Sequence, residues 1–477
     1  MADGARSIVR NTAWLFGGQI TGRVIRSGII IYAARVLGAA SWGAFSYALG
    51  IAAFLTIFAD IGINGLLVKE GSKNPELRKT YLATSLFIKL SLIALMAGGT
   101  LLFSPLLDTL PEAQPLILIA LLVFAFDSLR DFVLTVARAT EEMHIEGIAT
   151  ILTNLFIAVL GLGALRIFGT SSALMLAYAA GTGLGLVAAF IPLREHFKNS
   201  IAHFDAHFIK RIFASAWTFG MISVMGAVMI NTDVLMLGWM VSGTEVGLYS
   251  AGQKIIQLLY IAPSLIATAF FPQMARRAAT SKDSFRALFE QGLASVYLLA
   301  IPLTVGGILM SERIITLLYG AEYAGGSRSF AILAATLIIV FPATLISNAM
   351  FAFNEQKKLA SYVLFGVIGN IVLDLLLIPL FGVEGSAIAT LANQLLINIY
   401  AWHQLRAVVS FTIFGRLKKV IISALAMGAL VYILEPTEVP TLIILAAGTA
   451  VYGAMLMLLK EGSVRRTCGL VFSRGKK

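Results

Sequence analysis

Charge is the scarcest commodity in this chain. Only 13% of its 477 residues are Asp, Glu, Lys or Arg, against 58% hydrophobic ones, where a soluble domain carries about a quarter charged residues. A chain so poor in charge cannot wrap a core in a polar surface, which excludes a soluble globular protein. Cysteine is nearly absent: Cys468 alone leaves no intrachain disulfide and no thiolate metal cluster, only a free thiol in a basic tail. Histidine is also rare. His203 and His207 stand four apart, with Asp205 between them and His196 nearby, but no Glu completes an H-E-x-x-H pattern. The segment around them alternates aromatic and basic residues, which points to an amphipathic helix lying on the membrane surface and to no metal. There is no Walker A loop, dinucleotide fingerprint or G-x-S-x-G elbow, so neither direct ATP driving nor any cofactor is expected. The period-2 alternation of an outer-membrane barrel is missing too.

What the chain has instead is a succession of long apolar runs, with a mean hydropathy of +0.87. They predict an all-α integral membrane protein with spans at roughly 11–38, 43–68, 80–103, 115–139, 147–168, 171–193, 213–240, 247–274, 285–310, 327–352, 360–380, 385–407, 419–435 and 438–459. The first run is too long for a removable signal and carries Arg23 and Arg26, so it is expected to be the first permanent span.

Lysine and arginine test this count independently of hydropathy. With a cytoplasmic amino terminus, one face receives 27 of them, from Arg6 and Arg10 through Lys69, Arg78, Arg194, Lys210, Arg276 and Lys357 to the tail. The other face receives only Arg35, Arg166, Arg313 and Arg328. The positive-inside rule demands such an imbalance. It places both termini in the cytoplasm, the protein in the cell membrane and the basic tail on anionic lipid headgroups. The net charge of +11 then needs no nucleic-acid partner. All five tryptophans (Trp14, Trp42, Trp217, Trp239 and Trp402) fall near span ends, where indole rings prefer to sit.

The halves of the chain echo one another. Ala13-Trp14-Leu15-Phe16-Gly17 matches Ala216-Trp217-Thr218-Phe219-Gly220, and Gly43-Ala44-Phe45-Ser46 matches Gly247-Leu248-Tyr249-Ser250 at nearly the same offset. Ile167-Phe168-Gly169 and Leu380-Phe381-Gly382 precede the sixth and twelfth spans. Two parallel six-helix lobes follow, 1–193 and 213–407, joined by an interfacial linker at 194–212 and followed by two further helices and the tail at 408–477. Such duplication is a transporter feature, with the substrate between lobes.

Several stretches carry a resemblance: NTAWLFG (Asn11–Gly17), RVLGAASWGAFSYALG (Arg35–Gly50), FADIGI (Phe58–Ile63) and NTDVLMLGWMVSGTEVGLYSAGQKI (Asn231–Ile255). On these the chain resembles the polysaccharide-biosynthesis, Wzx-type branch of the multidrug/oligosaccharidyl-lipid/polysaccharide exporter superfamily. The resemblance spans nearly the whole chain. It implies flipping of a polyprenyl-diphosphate-linked oligosaccharide from the cytoplasmic to the outer leaflet by alternating access, beside partner proteins of polysaccharide assembly.

Ionisable groups inside the spans are the candidate site, because each costs about 2.5–3.5 kcal/mol at mid-bilayer on insertion scales. Gln19, Arg23 and Arg26 share one face of the first span. Two adjacent guanidinia repel unless an anion bridges them, and a diphosphate offers oxygens for both. The alternative is that they form structural ion pairs with Asp60 or Asp127. Lys89 and Lys254 are further candidate substrate ligands, with snorkelling to the headgroups the competing reading for Lys89. Asp127, Arg130 and Asp131 occupy adjacent turns and form a mutually neutralising structural cluster. Asp60, Asp233 and Asp374 have no basic partner on their own helix, which leaves two roles open: binding a coupling H+ or Na+, or balancing an arginine elsewhere.

Three classes stay open on sequence: a lipid-linked oligosaccharide flippase, a cation-coupled exporter of drugs or metabolites, and a membrane glycan ligase or glycosyltransferase. Basic groups on the first span favour an anionic cargo over a cationic drug. An enzyme needs catalytic residues on a sizeable outer loop. The best here is 311–326, with Glu312 and Glu322.

Overall fold

The computed structural model describes residues 2–74, 76–103 and 110–461. Cys468 and the tail cations Arg465, Arg466, Arg474, Lys476 and Lys477 lie outside the described residues, and so do the side chains of Arg6, Arg10 and Trp217. Sixteen α-helices follow in order: α1 (Ala2–Phe58), α2 (Ile63–Lys73), α3 (Arg78–Phe103), α4 (Gln114–Ala139), α5 (Met143–Ile167), α6 (Ser171–Phe197), α7 (His207–Met240) and α8 (Gly243–Leu259), then α9 (Ile261–Thr280), α10 (Lys282–Leu309), α11 (Ser311–Tyr319), α12 (Ser327–Ala335), α13 (Leu337–Ala352), α14 (Gln356–Arg406), α15 (Phe414–Leu434) and α16 (Thr441–Leu458). Among the described residues there is no strand. Ten segments of the described residues are long and apolar enough to cross a membrane. Two of these, 13–58 and 361–406, hold a helix pair each, interrupted at Gly38 and Gly382. With α4 and α7, the described helices account for about fourteen spans.

The interruptions are where glycine's freedom matters. Gly38 sits at φ 73 and Gly382 at φ 58, a region closed to most side chains, so each turns the chain without a loop.

The second span is expected to be continuous over 43–68, and it is not. α1 ends at Phe58, and α2 begins at Ile63 only after Ile61 (φ 44) and Gly62 (φ 80) have passed through left-handed conformations. A Cβ on Gly62 would lie 2.3 Å from the Gly220 amide nitrogen and 2.4 Å from the Ala216 carbonyl on α7. Gly62→Ala therefore meets both backbone strain and a backbone wall, each costing about 1–3 kcal/mol. The purified variant should melt well below wild type. Gly28→Ala, whose Cβ meets nothing within 4 Å, is the control, and equal melting of the two variants would refute this account. Spans 8 and 10 are broken as well, at Tyr260 and Thr336, whose hydroxyls meet at 3.2 Å.

The chain forms two compact units, Met1–Ser250 and Ala251–Lys477. In the first, α1 lies along α5, α6 packs on α4 and α5, and α2 sits between α3, α4 and α7. A buried cluster of Ile63, Leu67, Tyr81, Ile88, Phe132 and Ile212 ties these elements together. The expected surface helix at 194–212 is absent. α6 runs to Phe197, a 3-10 turn spans Ser200–His203, and α7 starts at His207. Its aromatic rings fold back on α3 instead: Phe204 meets Phe87 and Phe208 meets Tyr81. Trp42 sits four residues past the Gly38 interruption, at the start of the second span, and faces the protein interior. It is 1% exposed and stacked on Phe45.

In the second unit α10 is central, flanked by α9, α12, α13 and α15. The last two spans, α15 and α16, bury Met427, Val431 and Ile444 with Met310. Arg313, on the short amphipathic α11, fastens their connecting loop. It donates to the carbonyls of Glu435 and Thr437, and to that of Val439 at 2.8 Å. Outward faces such as Leu425, Ile433, Leu442 and Leu458 are apolar and exposed, as a lipid-facing helix requires.

Candidate functional site

Small residues set the first span's orientation. Gly18 approaches Gly147 of α5 so closely that a Cβ would lie 2.6 Å from its Cα, and Gly22 is covered by Asn154. Ile29 packs against Gly161 of the same helix. With that face pinned to α5, Gln19 and Arg23 are exposed and Arg26 is half-buried. The Arg26 guanidinium lies 6.0 Å over the ring of Tyr178, on α6. Its Nε is buried, with no hydrogen-bond partner among the described residues.

Neither arginine has a carboxylate within ion-pair distance among the described residues. The two acids offered as structural partners are engaged elsewhere. Asp60 faces Lys89 at 3.6 Å. Asp127 takes Arg130 at 2.6 Å. The guanidinia thus keep their donor capacity within a span, where an uncompensated cation is costly unless an anion visits.

The remaining candidates are distributed. Lys89 is 1% exposed and turned inward to Asp60, rather than snorkelling. Lys254, on α8, reaches Gln257 Oε1 at 3.4 Å one turn away. Asp233, on α7, is buried and accepts the Tyr249 hydroxyl at 2.6 Å. In the second unit, Asp374 is fully buried and accepts from Asn370 Nδ2 at 3.1 Å.

Sequence reasoning missed a chain of polar contacts through the first unit. Asp60 Oδ1 accepts the Asn64 amide N–H at 3.2 Å, and Asn64 Nδ2 donates to Asp131 Oδ2 at 2.7 Å. Arg138 then joins Asp131 (3.2 Å) to Glu146 (2.7 and 2.8 Å). Asp131 therefore leaves the expected cluster with Asp127 and Arg130, and belongs to this chain. The one available signal was the i, i+4 spacing of Asp60 and Asn64. Arg138 and Glu146 gave no sign, because their partners come from packing.

The three histidines serve the connection between α6 and α7. His196 meets Glu142 at 3.3 Å, His203 meets the Asn199 carbonyl at 2.9 Å, and His207 meets Asp205 at 3.2 Å. Among the described residues no group of His, Cys, Asp and Glu could hold a metal ion.

A crossing of the repeat motifs completes the first unit. The Ser46 and Ser250 hydroxyls, matched positions of the two motifs, lie 3.2 Å apart. A Cβ on Gly43 would fall 1.8 Å from the Gly243 carbonyl oxygen, and one on Gly247 1.9 Å from that of Ala39.

Residues 8–278 match the family described as polysaccharide biosynthesis protein. A probable flippase of Haloferax volcanii, AglR, is 25% identical over 95% of this chain and 96% of its own. The probable low-salt glycan biosynthesis flippase Agl15 of the same organism is 23% identical over 84% of each chain. Among solved structures, a lipid II flippase, MurJ, in an inward closed conformation superposes with a TM-score of 0.77 at 17% identity, covering 94% of this chain and 98% of that one. That likeness is one of fold.

Proposed function

The chain belongs to the polysaccharide biosynthesis protein family, and from that premise we propose that it flips a polyprenyl-diphosphate-linked oligosaccharide from the cytoplasmic to the outer leaflet for surface polysaccharide assembly. It is a transporter rather than a catalyst. The observation that carries the cargo assignment is the pair Arg23 and Arg26, held in the first span without a carboxylate partner among the described residues. The Nε of Arg26 is buried and unpaired. A diphosphate supplies charge and bidentate oxygens for both. A cationic drug would meet repulsion at the same place.

The two repeats, 1–193 and 213–407, are the lobes that rock in alternating access, with the linker 194–212 between them and 408–477 outside the repeat. Gln19 flanks the arginines on their face, and Lys254 contributes positive charge from span 8. Asp233 and Asp374 each bind a coupling cation, H+ or Na+. The lysine and arginine asymmetry supports residence in the cell membrane with both termini cytoplasmic and the basic tail on anionic lipid. Proteins of polysaccharide assembly are its partners.

The test is reconstitution. Proteoliposomes containing a fluorescent lipid-linked oligosaccharide in the inner leaflet should expose it to an impermeant quencher faster than protein-free vesicles. A monophosphate analogue should compete poorly. Exposure no faster than in empty vesicles refutes the reading. The same vesicles, run with imposed sodium and proton gradients, test the coupling; a rate indifferent to both removes Asp233 and Asp374 from that role.

A further inference from the structure

The break in the second span is lined by oxygens. In a continuous helix the amides of Gly62 and Ile63 would satisfy the carbonyls of Phe58 and Ala59. Here Ile63 donates instead to the Asp60 carbonyl at 2.9 Å, and Gly62 lies against the Asp60 carboxylate. Both carbonyls are released from the helical pattern at the place where Asp60 sits. Beside them Asn64 is 5% exposed, and its Oδ1 accepts no hydrogen bond among the described residues. A buried carboxamide oxygen without a donor is costly and points to a cation or donor that belongs there.

The charges agree. Asp60, Asp131 and Glu146 are three linked carboxylates, facing two linked cations, Lys89 of α3 and Arg138 of α4. Asp127 and Arg130 on α4 neutralise each other. One negative charge is left over. The Lys89 ammonium, at 3.6 Å, stands beyond hydrogen-bond distance from the carboxylate it faces.

We propose that the break in span 2 is a binding site for a sodium-sized alkali cation, coordinated by Asp60, Asn64 Oδ1 and the released backbone carbonyls, with Lys89 as a tethered competitor. Carboxylate and carbonyl oxygens suit a hard cation, and unwound carbonyls in broken spans are a recurrent way of holding one. The site is separate from Asp233 and Asp374. It deepens the transport reading by giving the first repeat its own ion, but its test is binding, not transport.

The melting temperature of the purified full-length protein in detergent is measured in sodium chloride and in choline chloride, at equal ionic strength and neutral pH. Lys89→Met leaves Asp60 without its counter-ion and is expected to melt low in choline. Sodium should restore it saturably, with at least a tenfold higher apparent sodium affinity than wild type. Adding Asn64→Leu should abolish the sodium response while recovery in acid persists, and adding Asp60→Asn should abolish both. Where Lys89→Met does not fold, Lys89→Gln carries the same comparison. Recovery in acid without recovery in sodium would make Asp60 and Lys89 a plain ion pair and overturn the proposal. A sodium response that survives Asn64→Leu would overturn it too. A failed flipping assay would leave these results untouched, so the two readings fail separately.

Discussion

Replacing Arg23 and Arg26 together by alanine is expected to abolish flipping while the protein still folds and inserts. A hydrogen bond to a charged partner contributes about 1.5–3 kcal/mol, which corresponds to about tenfold to more than a hundredfold in affinity. Each single variant should therefore lose at least tenfold in initial rate, and the pair should lose all measurable transport. Because neither arginine holds a carboxylate in ion-pair contact among the described residues, removing it orphans no buried acid and should cost little stability. Lysine at either position should recover part of the rate, keeping the charge but losing the bidentate fork. Arg26 has a second reason to resist lysine, since its guanidinium lies over the Tyr178 ring. Neutralising Asp60 or Asp127 in the alanine background should restore nothing, because those acids serve Lys89 and Arg130. The deciding measurement is proteoliposome flipping beside a melting curve for the same preparation. A well-folded double variant that flips at the wild-type rate removes the diphosphate clamp.

Cysteines at Ser46 and Ser250, in a Cys468→Ser background, are expected to stop transport completely on oxidation and release it on reduction. The two hydroxyls they replace are 3.2 Å apart. The helices carrying them approach so closely that Gly43 and Gly247 have no room for a methyl group. Contact of that kind has two discrete states, packed or parted, which suits a gate better than a sliding surface. If the cargo leaves where these helices cross, a covalent bond there must trap the packed state. Mild oxidant, quantified cross-linking and flipping before and after reductant make the measurement. Full transport by fully cross-linked protein would show that the crossing never opens during the cycle.

How much of this was legible beforehand varies with the range of the interaction. The helical class and the spans follow from hydropathy and charge asymmetry, both properties of local sequence. Arg23 and Arg26 stood out because cations inside a span are rare. The break at Asp60–Gly62 did not, because glycines also sit inside unbroken stretches such as Gly17, Gly18 and Gly22, and the left-handed turn depends on Gly62 lying against α7. The pairing of Asp60 with Lys89 was equally hidden, since it joins helices whose approach no spacing rule reports. The linker misled for the opposite reason. Its aromatic and basic alternation looks like a membrane surface helix, yet the rings of Phe204 and Phe208 are used to hold the connection onto α3. The repeat motifs were visible as similarity, but that Ser46 and Ser250 touch was not.

Arg313 recognises the loop between the last two spans through the carbonyls of Glu435, Thr437 and Val439 and through no side chain of theirs. Every residue type offers the same carbonyl, so this fastening constrains the course of the loop and is blind to its lettering. What fixes letters in residues 435–439 is local: Val439 packs on the apolar cluster of the last spans, and the Thr437 hydroxyl donates to the Leu434 carbonyl. The arginine itself reads only where the backbone runs.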